Sequence, residues 1–128
     1  MGDRVEAEQG ITAAKMEQIF QFDKTIRFVY LISSEGKADA VFGRPGVSSL
    51  EPEEETNRIL VRAALTYSMT TSMNRHHGRL RAAILIKDKV VLVSFMLMER
   101  IMLISAEPGF PVGRVEELGR LIDKLSIS

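Results

Sequence analysis

Two stretches, Ile26–Ile32 (IRFVYLI) and Val90–Met98 (VVLVSFMLM), constrain this chain more than any other feature, because both are apolar at odd and even positions alike. Successive side chains of a β-strand point to opposite faces, so a strand without polar alternation has to be covered on both sides. Their β-branched and aromatic residues favour strand over helix. Both segments are therefore expected inside a sheet that carries helices on its two faces. The nine residues of the second run are too few to cross a bilayer as a helix.

The remaining elements follow from periodicity and breakers. Residues 1–10 read as a flexible N-terminus, with Gly10 ending it, and 11–128 as a single domain. Ile11 to about Asp23 has helical spacing, with Ala13, Met16, Ile19 and Phe20 on one side. A turn at Ser33–Gly36 leads to a more exposed strand over Lys37–Phe42, and Gly43–Ser49 is a loop. A long helix starts near Pro52, with Glu51, Glu53, Glu54 and Glu55 where the helix dipole favours negative charge. It ends between Asn74 and Gly78. Strands are expected over Leu80–Ile86, Val90–Met98 and Ile101–Ala106, followed by a loop at Glu107–Pro111. The last helix, Val112 to about Leu125, turns Val115, Leu118, Ile122 and Leu125 inward. The order α-β-β-α-β-β-β-α describes an α/β (α+β) domain: a five-stranded, mostly antiparallel sheet with helices on both faces.

Few chemistries survive the residue inventory. The chain has no cysteine, which removes disulfides, thiolate metal sites and thiol nucleophiles. Its polar, acidic start lacks the apolar core of a signal peptide, so a cytoplasmic, soluble protein is expected. His76 and His77 are adjacent, point differently and have no third ligand nearby, so helix-end capping explains them better than metal binding. Gly43–Gly46 lacks the Lys-Ser/Thr ending of a phosphate loop. No hydroxyl has a base fixed near it by sequence. Catalytic, metal and cofactor sites are thus all expected to be absent.

Charge is balanced overall, with 17 basic and 17 acidic residues, but unevenly placed. Between Thr56 and Lys89 seven basic side chains (Arg58, Arg62, Arg75, Arg79, Arg81, Lys87 and Lys89) face one acid, Asp88. Such a segment suits an acidic partner surface, or, as an alternative, nucleic acid. Aromatic residues for base stacking are scarce there, with Tyr67 alone. The long helix carries two apolar stripes. Ile59, Leu60, Ala63, Tyr67 and Thr70 form the expected core face, and Val61, Leu65, Ser68, Met69 and Ser72 lie on roughly the other side. A helix with two such faces is expected to have two neighbours.

The element order across residues 11–125 resembles the roadblock/dynein-light-chain family, which belongs with the profilin-like and longin-like folds. Phe28–Gly36 (FVYLISSEG) resembles that family's first hairpin, an apolar strand running into a D/S-x-x-G turn. Ser105–Pro111 (SAEPGFP) before an amphipathic helix also resembles small archaeal proteins of this fold. The long Gly43–Ser49 loop departs from the pattern. In roadblock proteins the middle helix and the strand after it commonly form a homodimer that serves as a platform for small Ras-like GTPases or scaffold proteins. The resemblance thus implies a non-enzymatic interaction module. Its dimer surface would include Val61, Leu65, Met69, Leu80, Ala82 and Ile84, with Arg58 and Arg62 contacting a partner. On that reading Leu65→Glu is expected to yield a folded monomer. A small ligand-sensing domain similar to PAS or GAF modules is the competing reading, and it requires an interior pocket.

Overall fold

The structure, a computed structural model, describes residues 2–127, with side chains described from residue 12 onward. Helix α1 spans Gly2–Phe22, β1 Ile26–Ile32, β2 Ala38–Gly43 and α2 Glu53–Thr70. A 3-10 turn over Thr71–Met73 and a short helix α3, Asn74–His77, lead into β3 (Ala82–Ile86), β4 (Val91–Met96) and β5 (Ile101–Ala106). A 3-10 turn over Val112–Arg114 then opens α4, Val115–Leu125. The five strands form one sheet in the order β2-β1-β5-β4-β3, with every neighbouring pair antiparallel.

Strands apolar on both faces do lie between helices. On one face, Met16 and Ile19 of α1 and Leu118 and Ile122 of α4 pack on Val29, Leu31, Val93 and Ile104. On the other, Leu60, Ala63, Ala64 and Tyr67 of α2 pack on Tyr30, Ile32, Leu92, Ile101 and Leu103. Each fully buried aliphatic side chain contributes roughly 1.5–3 kcal/mol, so β1, β4 and β5 anchor both layers at once.

Several boundaries differ from expectation. Helix α1 starts at Gly2 and runs through Gly10, rather than beginning at Ile11. One glycine costs a helix only about 1 kcal/mol relative to alanine, and Arg4, Glu6, Ala7, Glu8 and Gln9 are tolerable or good helix formers. Met1 and the side chains of 2–11 lie outside the described residues. Ala13 is exposed, so the buried stripe of α1 begins at Met16. Pro52 is the N-cap of α2, not its first turn, and its carbonyl accepts hydrogen bonds from the N–H groups of Glu55 (3.0 Å) and Thr56 (3.1 Å). β4 stops at Met96, because Leu97 N–H donates to the Arg100 carbonyl at 2.8 Å and closes a turn. Met98 is left on that turn, exposed.

The loop after β2 has a structural task. The Arg44 guanidinium donates to the carbonyls of Phe20 (2.7 Å), Asp23 (3.0 Å) and Ile26 (2.7 Å), and lies 5.3 Å from the Phe20 ring centre. Carbonyls in the last turn of a helix have no partner inside it, so Arg44 caps α1 and ties it to the start of β1. Gly43 just before it is close to Phe28, whose ring a Cβ there would meet at 2.8 Å. Hydrogen bonds to a charged group contribute about 1.5–3 kcal/mol. Arg44→Ala is therefore expected to lower the unfolding free energy by about 2 kcal/mol in urea titration. An unchanged midpoint would show that the cap is dispensable.

Candidate interaction surface

Helix α2 is held to the sheet along one face and at its far end. The Tyr67 hydroxyl, buried, reaches the backbone carbonyls of Ser94 on β4 (3.0 Å) and Arg81 before β3 (3.4 Å). Burial disfavours the phenolate and outweighs the hydrogen bonding from the Ser94 side chain and the Met96 backbone that favours it, so the pKa of Tyr67 is pushed up to about 12. Beyond α2, the chain reverses at Gly78, whose φ of +81° is in the left-handed region open to glycine, and enters β3.

The rest of α2 divides into two surfaces. Ile59, Arg62, Ala63 and Thr66 face β3 across an open groove of about 300 Å³, floored by Ala83, Leu85 and Leu92. Val61 lies on the opposite flank. A Cβ placed at Gly36, in the β1–β2 turn, would come within 2.8 Å of the Val61 Cα, so that turn abuts the helix there. Leu65 and Met69 continue from Val61 by steps of four onto the outer crest of the helix, where they are 54% and 74% exposed. Arg58, also exposed, falls on the same crest seven residues before Leu65.

Strand β3 is an edge strand, paired only with β4. Met96 N–H donates to the Arg81 carbonyl at 3.4 Å and Lys87 N–H to the Val90 carbonyl at 2.9 Å. Antiparallel ladders alternate, so Arg81, Ala83, Leu85 and Lys87 bond toward β4, and the peptide groups of Ala82, Ile84 and Ile86 point away from it. Exposed edges are usually blunted by a charge, a proline or a bulge. Ala82–Ile86 (AAILI) has none of these, and Ile84 and Ile86 are 44% and 67% exposed. The opposite edge, β2, carries Asp39, and its pairing is broken by a register shift at Leu31/Ile32.

The six positions expected in a dimer surface are thus not one patch. Ala82 and Ile84 are on the β3 edge and Leu80 leads into it, packed against the α2 side of the core. Val61 is turned away from β3, with Leu65 and Met69 on the crest. Arg62 borders the groove and Arg58 does not. Leu85, Ile86, Ile59 and Thr66, on the same strand or in the groove beside it, were not among the expected positions, although the unalternating AAILI bracketed by Arg79, Arg81, Lys87 and Lys89 marks an apolar strand with charged flanks.

The basic segment is split by the same topology. Arg79 and Arg81 line a groove on the α4 side of β3, while Arg62 and Lys87 line the groove on the α2 side. Arg81 is engaged by Glu116 of α4 at 2.7 Å. His76 and His77 are exposed at the end of α3, and among the described residues no three His, Cys, Asp or Glu side chains are grouped to hold a metal ion. Below α2, beside Tyr30 and Leu92, the cavity holds only about 20 Å³, room for one water. No helix among the described residues is long and apolar enough to cross a membrane.

No protein-family model and no curated protein matches the chain. Solved structures do. The gliding protein MglB from Thermus thermophilus superposes with a TM-score of 0.72 at 15% identity, over 91% of this chain and 87% of that one. An MglB in a tetrameric arrangement gives 0.70 at 14% identity, over 89% and 84%. A roadblock/LC7 domain from Streptomyces avermitilis gives 0.62 at 16% identity, over 86% and 87%. The chain has the roadblock/LC7 fold.

The Tyr67 shift sets a pH dependence. Between pH 10 and about 12 the unfolded chain has released a proton that the folded chain still holds, so stability falls as pH rises through that window. Tyr67 contributes a slope of at most about 1.4 kcal/mol per pH unit, and Tyr67→Phe should reduce the loss, leaving the part due to Tyr30, whose burial also raises its pKa. A wild-type unfolding midpoint that is flat from pH 10 to 12 would contradict this placement of the hydroxyl.

Proposed function

We propose that this chain is a non-enzymatic interaction module that works as a homodimer, joined edge to edge through β3. The observation that carries the reading is the unguarded apolar edge Ala82–Ile86 lying beside an uncovered groove. A two-fold axis through Ile84 would pair it with its own copy and Ala82 with Ile86 of the second copy, so that the outward peptide groups of both strands satisfy one another. Such a pairing is isologous and closed, and it makes one continuous sheet twice as wide. The second copy's α2 would then close the groove over Ala83 and Leu85, with Ile59, Arg62 and Thr66 along the seam.

Self-association is in keeping with the fold, since one MglB that shares it is found in a tetrameric arrangement. In this dimer the crest of α2, with Arg58, Leu65 and Met69, stays open on both copies. That crest is an apolar centre with a cationic neighbour, a suitable contact for a second protein. By resemblance to roadblock proteins, the partner class is a small Ras-like GTPase or the scaffold of a signalling complex. The PAS/GAF-like reading needs a pocket closed between helix and sheet. The cavity beside Tyr30 has room only for a water, and the larger space of about 300 Å³ between α2 and β3 is an open groove, which the second copy would cover. Nucleic-acid binding loses support because β3 divides the basic side chains between two grooves.

Light scattering after size exclusion tests the reading. The expected mass is twice the 14.3 kDa of the chain. Ile84→Lys, which puts a charge at the centre of the seam, should give a folded monomer, and Leu65→Glu should remain a dimer. A dimer that survives Ile84→Lys and is lost in Leu65→Glu would move the interface from the strand to the crest of α2.

A further inference from the structure

Helices and strands do not have the same width. Neighbouring strands are about 4.8 Å apart and a helix with its side chains is about 10 Å across, so one helix covers about two strands. On the α1/α4 face, α1 packs beside Phe42 of β2 and on β1, and α4 packs on β5 and β4. That leaves β3 over. Ala82, Ile84 and Ile86 share this face, since Ala82 packs at the rim of its core and strand side chains alternate. Ile84 and Ile86 remain exposed there.

We propose that the dimer binds one amphipathic helix of a partner protein on this face, along the two-fold axis, and that the helix has an apolar stripe flanked by glutamate or aspartate. The inference rests on the β3-to-β3 dimer. Two adjacent β3 strands form a bare strip about 10 Å wide, the width of a single helix, walled by α4 on each side. The wall supplies the charge. Arg79, Arg81 and Arg120 line the groove between α4 and β3, opposed by Glu116 and Asp123. Arg81 and Glu116 neutralise each other at 2.7 Å, Arg120 lies beside Asp123 and in the field of Glu117, and Arg79 leaves the groove one cation in excess. The symmetric strip is thus apolar along its floor, with a groove of net positive charge beside Ala82 of each copy, at opposite ends of the strip, which fits an apolar stripe flanked by acidic side chains. Because the site lies on the axis, it is complete only in the dimer and holds one helix per two chains. It lies on the face opposite the α2 crest, so the two contacts do not compete.

The probe is a helical peptide of about 18 residues, five turns long, with leucines at i, i+3, i+4 and i+7 flanked by glutamates, tested on the full chain by calorimetry and native mass spectrometry. One peptide per two chains is expected. Replacing its glutamates by lysines should weaken binding at least tenfold. The R79E/R120E variant should also weaken the glutamate peptide at least tenfold while its mass in solution stays that of the dimer. R79Q/R120Q should give a smaller loss. One peptide per chain, equal binding of the lysine peptide, full affinity in R79E/R120E, or no binding by an intact dimer would each overturn the proposal and leave the dimer standing. A chain that stays monomeric at every concentration would overturn the dimer and this site together.

Discussion

Five strands of this sheet have more apolar surface than three long helices can cover, and that mismatch organises the molecule. The central strands β1, β5 and β4 are buried on both faces, with α2 on one side and α1 and α4 on the other. The coverage runs out at the edges. At β2 the chain handles this with Asp39 and a break in register. At β3 it does not, and an uncharged apolar strand is left with one row of peptide groups unpaired and side chains exposed on both faces. Unpaired peptide groups beside apolar surface are the combination that strand pairing removes most completely. The proposed contacts therefore concentrate around that edge.

Much of the fold was legible in the sequence because it depends on local pattern. Ile26–Ile32 and Ile101–Ala106 form strands with the boundaries read from their composition, and all four inward positions of α4 are buried. Two misses share a cause, which is that the signal of one or two residues was overruled by their neighbours. Gly10 reads as a break but sits within a run of helix formers, and Leu97–Met98 reads as strand until Arg100 closes the turn. The role of Arg44 was invisible, since its carbonyl partners are 18 to 24 residues away.

The geometry of the candidate surface was half legible. Helical spacing showed that α2 has apolar character beyond its core stripe, but it could not say which flank faces which neighbour. That was decided by Gly36, a residue in another element that occupies the Val61 side. Nor does the run Leu80–Ile86 announce an edge strand, because edge position belongs to strand order and not to the strand. The basic segment shows the same limit. Its cations are consecutive in sequence yet reach opposite faces of one strand, and one of them, Arg81, is neutralised by a helix 35 residues further along.

The central claim is that the outward peptide groups of β3 are satisfied by a second copy, and backbone hydrogen exchange reads this directly. Ala83 and Leu85 bond to β4 inside one chain, so their amides should be protected at any protein concentration. The amides of Ala82, Ile84 and Ile86 should become protected only as concentration rises through the dimerisation range, in step with the mass in solution. If Ile84 exchanges freely at concentrations where the chain is fully dimeric, the copies meet elsewhere and the account of β3 as the seam is contradicted.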